Sequence, residues 1–231
     1  MRKVMVIIEL VVLLAGGRVS AKDFYADGNI ITGDLWDSVY IHDTPPGHTT
    51  VNMSGGEVFG TLYSYDKSIF NMTSGIVHNL YSYEFSTANI SGNTPDSPFN
   101  IVAWDQSIIN FSATAQAEQV YALNKARINI TGGEIDALSA YNDGVINIYS
   151  GDIKFNVWAQ DNAAINIFGY DLFKSPTGGT GNGFVQGYYN DHSYFNFNFE
   201  GTATYSHVNL IPEPATILLL VAGGLFLRKK E

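Results

Sequence analysis

A chain of 231 residues with 45% apolar composition suits one domain and can fill a core of its own. It contains no cysteine, which excludes a disulfide framework and thiol chemistry. Its formal charge of −10, from 12 Lys and Arg against 22 Asp and Glu, excludes the clustered basic surface that nucleic acid requires.

At the N-terminus, Arg2 and Lys3 precede an apolar run over residues 4–14 that only Glu9 interrupts. Val19, Ser20 and Ala21 then form the small-residue pattern of a signal-peptidase site. The run is shorter than the roughly 20 residues that cross a bilayer. Residues 1–21 therefore read as a signal peptide cut by signal peptidase after Ala21, with Lys22 as the first mature residue. Residues 22–38 are expected to form an N-terminal cap.

From residue 39 onward the sequence repeats. One phrase is seen in Val51-Asn52-Met53-Ser54-Gly55, Ile128-Asn129-Ile130-Thr131-Gly132 and Ile165-Asn166-Ile167-Phe168-Gly169. Counted on its asparagine, it falls at Asn52, Asn71, Asn89, Asn110, Asn129, Asn147 and Asn166, in steps of 19, 18, 21, 19, 18 and 19 residues. A second phrase fills the other half of each unit, as in Leu62-Tyr63-Ser64-Tyr65-Asp66, Leu80-Tyr81-Ser82-Tyr83-Glu84 and Val157-Trp158-Ala159-Gln160-Asp161. Val39-Tyr40-Ile41-His42-Asp43 reads as a degenerate first copy, set apart by the turn Thr44-Pro45-Pro46-Gly47.

Both phrases alternate with period two, the mark of strands with one buried face. A third short strand follows the glycine corner, as in Gly133-Glu134-Ile135. Three strands and three turns in about 19 residues predict one coil of an all-β, parallel β-solenoid (β-helix) of about seven coils over residues 39–168. Such coils stack about 4.8 Å apart. Ile, Val and Leu would form inward columns and Asn129 would face out. Tyr63, Tyr81, Tyr121 and Trp158 would form one outer aromatic column, with Tyr65, Tyr83, Trp104 and Tyr141 in another. The period breaks after Ile167. Aromatic stretches over 184–189 and 193–199, and then 205–210, predict a C-terminal β cap over residues 169–210.

The C-terminus reads Ile211-Pro212-Glu213-Pro214-Ala215-Thr216, then an apolar run over 217–227, then Arg228-Lys229-Lys230-Glu231. Pro212 and Pro214 separate this run from what precedes it, so it is expected to form its own hydrophobic helix. Basic residues at its end should stay on the cytoplasmic side. The Pro-Glu-Pro triplet, short apolar helix and terminal basic cluster resemble the PEP-CTERM sorting signal, over residues 211–231. That resemblance implies recognition by an exosortase, a membrane-bound sorting protease, and cutting near Pro212, Glu213 and Pro214. It implies a protein anchored in the membrane at least transiently, then held at the cell surface or released outside. The alternative for the tail is a plain membrane anchor. More loosely, the repeat with this ending is similar to uncharacterised PEP-CTERM solenoid proteins.

The carboxylates are the first chemistry to weigh. Asp66, Glu84, Asp105 and Asp161 close the second phrase, with Asn124 and Asn142 in the same place, so stacking would align them in a column. Such a column is a calcium candidate, but Asp and Asn favour turns for local reasons, and the calcium-roll repeat is absent. No cofactor is expected. Polysaccharide lyases and glycosidases also use β-helices, and a carbohydrate-active enzyme is the alternative function. Against it, the acids recur once per coil without a distinct cluster, and Lys125, Arg127 and Lys154 are the only basic residues of the middle coils.

His42, His48, His78, His192 and His207 are scattered without zinc spacing. The Asn-x-Ser/Thr triplets beginning at Asn52, Asn71, Asn89, Asn110 and Asn129 read as products of the repeat rather than glycan acceptors. The expectation is a non-enzymatic, exported surface or extracellular-matrix protein. Its exposed Tyr63, Tyr81, Tyr121 and Trp158 are candidates to stack on exopolysaccharide.

Overall fold

The alternating phrases fold as their period demands. A computed structural model describes residues 20–92, 99–176 and 182–212, and the segments expected as signal peptide and sorting helix lie outside them. The chain is all-β, and its parallel strands wind into a β-solenoid of about seven turns.

The strands are β1 (Lys22–Phe24), β2 (Gly28–Ile30), β3 (Leu35–Ile41), β4 (Thr50–Ser64), β5 (Ile69–Ser82), β6 (Thr87–Ile90), β7 (Asn100–Ala103) and β8 (Ile108–Phe111). They continue as β9 (Gln116–Ala122), β10 (Arg127–Ala140), β11 (Val145–Ala159), β12 (Ala164–Pro176), β13 (Gly183–Tyr188) and β14 (Tyr194–Phe199). A short helix, α1 (Thr202–His207), leads into β15 (Val208–Pro212). In β4, β5, β10 and β11 the ladder runs through the corners, so one long bent strand carries the three short ones expected from each unit.

Each phrase meets its own copy in the next coil. Asn52, Asn71, Asn89, Asn110, Asn129, Asn147 and Asn166 are successive register partners, and so are Leu62 and Leu80, or Leu138 and Val157. Inward positions are closed to solvent throughout, among them Met53, Met72, Ile90, Phe111, Ile130, Ile148 and Ile167. The two extra residues in the step from Asn89 to Asn110 do not disturb this register, which resumes at Ile101 and Ile109.

The corners explain the residues that close each second phrase. Asp66, Glu84, Asp105, Asn124, Asn142 and Asp161 all adopt positive φ, between 57° and 61°. Asp and Asn tolerate this left-handed conformation better than most side chains. Gly133 (φ 88°) turns a corner where an added Cβ would lie 2.5 Å from the Ala115 carbonyl oxygen and the Phe111 ring.

The two ends differ. Residues 22–41, the greater part of them expected as a separate cap, already lie in parallel register with the coil that follows. A three-residue phrase such as Gly28-Asn29-Ile30 is too short to show its period in sequence. Phe24 and Trp36 pack against the open end of the core, with the Lys22 ammonium 5.4 and 5.7 Å from their ring centres.

At the other end the chain leaves the coil. β12 runs on into an antiparallel sheet with β13 and β14. β14 returns to pair with β11 at Asn156 and Val157, and β15 lies along the first half of β12. Within the expected C-terminal β cap, residues 202–207 form the helix α1 and Val208–Pro212 form β15. The helix seals the last coil: the Thr204 hydroxyl accepts from Ala159 N–H and donates to the Ala159 carbonyl, and His207 Nδ1 meets the Ala163 carbonyl at 2.8 Å. Lys174 donates to the carbonyls of Tyr205 and Val208, which ties the helix to β12.

Candidate functional site

Two kinds of side-chain ladder are built by the repeat, and both follow from strict register. The asparagine of the first phrase forms one of them. Asn71 Nδ2 donates to Asn52 Oδ1 at 2.9 Å, and the pattern repeats through Asn89, Asn110, Asn129, Asn147 and Asn166 to Asn209 at 2.8–3.0 Å. Asn209 belongs to β15 and was not recognised as a repeat copy in the sequence. The signal was present in Val208-Asn209-Leu210, which preserves the apolar-Asn-apolar phrase. From Asn71 to Asn129 the amide nitrogens of the Asn-x-Ser/Thr triplets are engaged in this ladder.

The second phrase builds an aromatic face from two adjacent columns. In one, Tyr40 stacks on Tyr63 (ring centres 5.0 Å apart, planes within 8°), and Tyr63 meets Tyr81 at 5.7 Å with a 46° tilt. Tyr121 and Trp158 occupy the same register column but stand apart from this group. Val102 lies in register between Tyr81 and Tyr121, and Ser139 between Tyr121 and Trp158. Among the described residues the expected four-ring column is thus one contacting pair, Tyr63 and Tyr81, and two rings without a ring neighbour. Tyr121 donates its hydroxyl to Gln119 Oε1. The Trp158 indole nitrogen is buried without a hydrogen-bond partner among the described residues.

The other column is longer than its sequence reading. Tyr25, His42, Tyr65, Tyr83 and Trp104 stack in order, with centres 4.8, 5.4, 5.3 and 6.4 Å apart and planes within 10°. Tyr141 is cut off from Trp104 by Leu123, which occupies the intervening coil. Sequence reasoning left out Tyr25 and treated His42 as scattered. Yet His42 occupies the place in its phrase that Tyr65 holds in the next. The near-parallel rings turn their faces toward neighbouring coils, so their edges rather than their faces border the surface. Burial, followed by the neighbouring phenols and Glu84, raises the Tyr65 hydroxyl above its ordinary range. Burial, Tyr63, Tyr81 and Asp105 raise that of Tyr83.

The carboxylates border this face. Glu84 Oε2 accepts the Asp66 backbone N–H at 2.9 Å, and Asp161 Oδ2 accepts that of Asn142 at 3.3 Å. Asp105 Oδ1 accepts from Asn124 Nδ2, and Asn124 Oδ1 from Asn142 Nδ2, each at 3.1 Å. Their column therefore ties one turn to the next. Among the described residues no group of three His, Cys, Asp or Glu side chains is placed to hold a metal ion. The histidines have separate partners: His48 meets Asp43 at 3.1 Å, His78 meets Glu57 at 3.6 Å, and His192 meets the Tyr170 hydroxyl at 2.7 Å.

A shallow groove of about 410 Å³ follows the start of the aromatic face, lined by Tyr40, His42, Tyr65, Asp66 and Glu84. A second, of about 680 Å³, opens between the glycine corners at Gly132, Gly133 and Gly151 and strand β14. The first groove brings together ring edges, phenol hydroxyls, an imidazole and carboxylates, groups suited to hydrogen-bonding a polyhydroxylated chain. Of the sorting residues, Pro212 ends β15 and is exposed, while Glu213 and Pro214 lie outside the described residues. Ala21, at the expected signal-peptidase cut, is exposed immediately before β1. Among the described residues no helix is long and apolar enough to cross a membrane. The chain matches no family model, no curated protein and no solved structure.

Proposed function

We propose that this chain is an exported, non-enzymatic surface or extracellular-matrix protein whose aromatic face associates with exopolysaccharide. The observation that carries this reading is the continuous two-column face from Tyr25 to Trp104, bordered by carboxylates and amides along its length. A polymer of repeating units suits a surface that repeats every coil, because many weak contacts add along one chain. Hydroxyl-bearing ring edges can exchange hydrogen bonds with sugar hydroxyls, while Tyr121 and Trp158, lacking stacked neighbours, are the rings best placed to receive a sugar on a face.

The export route in this reading is signal-peptide removal after Ala21 and exosortase processing near Pro214. It rests on the two terminal sequence patterns alone. Intact-mass measurement of protein from membrane and extracellular fractions checks it: loss of both termini from the extracellular form is expected, and an uncut tail in the membrane form would leave a plain anchor.

For the binding face, retention of the protein on the host's own exopolysaccharide is the measurement. Tyr65→Ala/Tyr83→Ala is expected to lower retention at least tenfold, and Trp158→Ala with Tyr121→Ala to lower it further. Unchanged retention in folded variants would remove the aromatic face from the function.

A further inference from the structure

The asparagine-bearing sheet runs without interruption from one end of the solenoid to the other. Its strands, in spatial order, are β2, β4, β5, β6, β8, β10, β11, β12 and β15, all parallel. An asparagine stands at the same register position in every one, from Asn29 through Asn52 to Asn209. The two end strands each have a single neighbour among the described residues: β2 pairs only with β4, and β15 only with β12. Each therefore presents a row of backbone donors and acceptors along its outer edge.

These edges are complementary. Each ladder bond points the same way, the amide nitrogen of the later coil donating to the oxygen of the earlier one. Asn209 Oδ1 thus faces the position where the next donor would stand, and Asn29 carries that donor at the opposite end. Both side chains are exposed. Strand direction also agrees, since β2 and β15 belong to one parallel sheet. Apolar surface gathers at the same N-terminal end: Tyr25 is 60% exposed, Ile31 54% and Leu35 46%. At the C-terminal end, Tyr205 and Leu210 are partly buried lids on the core, as Phe24 and Trp36 are at the N-terminal end.

We infer that the solenoid assembles head to tail with further copies of itself, β2 of one molecule adding to β15 of the molecule before it. Asn29 donates to Asn209 across the junction, adding one amide link beyond the ladder that runs from Asn52 to Asn209. Such a contact is heterologous: it uses different surfaces on the two partners, and a translation along the solenoid axis does not close into a ring. The product is a filament. This inference stands independently of the polysaccharide reading and needs no polysaccharide in its test.

The absence of cysteine gives a direct experiment. Asn29→Cys/Asn209→Cys is made in the full chain, at two exposed positions. Within one molecule these lie eight strand spacings apart, roughly 38 Å. A disulfide requires Cα atoms about 4.4–6.8 Å apart, so it forms only between molecules.

Mild oxidation is expected to give a ladder of dimers, trimers and larger species on a non-reducing gel, abolished by reductant, with at least tenfold more product than Asn29→Cys/Phe173→Cys. Phe173 is exposed and stands on β12 opposite β13, outside the two strands of the proposed junction. An equal ladder from that control, or no species beyond dimer from the test pair, overturns the inference. In sedimentation velocity the unsubstituted chain should show a concentration-dependent series of species that Asn29→Lys/Asn209→Lys abolishes. Identical profiles for the two would overturn it as well.

Discussion

Serine lines part of the interior in the early coils where alanine does so in the later ones. Ser64 and Ser68, and likewise Ser82 and Ser86, are fully buried and share hydroxyl contacts of 2.8 and 2.7 Å. The next coil holds Ala103 and the buried Ser107 at the same two positions, and the coil after it holds Ala122 and Ala126, with no loss of register. The carbonyls that Ser86 contacts, those of Tyr83 and Ser64, also accept backbone N–H groups. Removing both hydroxyls in Ser82→Ala/Ser86→Ala should therefore leave stability within about 1 kcal/mol of the unsubstituted chain. Ser86→Ala alone strands the Ser82 hydroxyl in an apolar interior and should cost about 1–3 kcal/mol. Chemical denaturation that found the double variant weaker than the single one would refute this account.

Asparagine shows the same reciprocity on the outer surface. Asn129 donates to Asn110 and accepts from Asn147 at 2.9 Å in each case, so it needs both a donor and an acceptor on one short side chain. Aspartate has the length without the donor, and glutamine the chemistry with an extra methylene. This explains why the residue type persists at one position through coils whose inward neighbours vary from Met to Phe to Ile.

Among the elements, the turn between β13 and β14 adds a polar tie between the C-terminal sheet and the coils. Asp191 accepts from the Ser150 hydroxyl at 2.5 Å, the Ser193 hydroxyl at 2.5 Å and the Ser193 N–H at 2.9 Å, joining the β13–β14 hairpin to β11. These donors, led by the Ser150 and Ser193 hydroxyls, hold its carboxyl below the usual carboxylate range. A depressed folded value means that the group stabilises the fold above its unfolded pKa, and that this contribution disappears as pH falls through the folded value. Acidification below about pH 4 should therefore loosen the hairpin before the coils. Asp191→Asn should be less stable at neutral pH and lack this acid-dependent change. Near-UV circular dichroism of the neighbouring Tyr189, Phe195 and Phe197 cluster provides the readout. A variant with the same acid profile as the unsubstituted chain would refute the assignment.

At the scale of the whole molecule, stability is a sum over neighbouring coils, because no coil buries its apolar face alone. Leu138 is fully buried, between Val120 and Val157 in its column. Leu138→Ala is expected to cost about 2–5 kcal/mol. Hydrogen exchange should show the loss centred on β9, β10 and β11, with protection in β4 and β5 kept. Uniform loss along the solenoid would instead indicate a single cooperative unit.

The amino-acid sequence determined the class of fold, the period and which residues face inward, because alternation and a steady 18–21-residue step leave few other ways to bury those side chains. It also placed the carboxylates at turns, for local backbone reasons. Tertiary structure decided the rest. Whether Tyr63 and Tyr81 touch while Tyr121 stands alone depends on what occupies the intervening coil, and only register discloses Val102 there. Joining Tyr25 and Asn209 to their columns required strands too short, or too far from the repeat, to be recognised by period. The seal formed by α1, through Thr204 on Ala159, arises from backbone groups left open at the last coil. A repeating sequence specifies how each coil meets the next, but the first and last coils have a neighbouring coil on one side alone, and the contacts that α1, Phe24 and Trp36 make there exist only once the chain has folded.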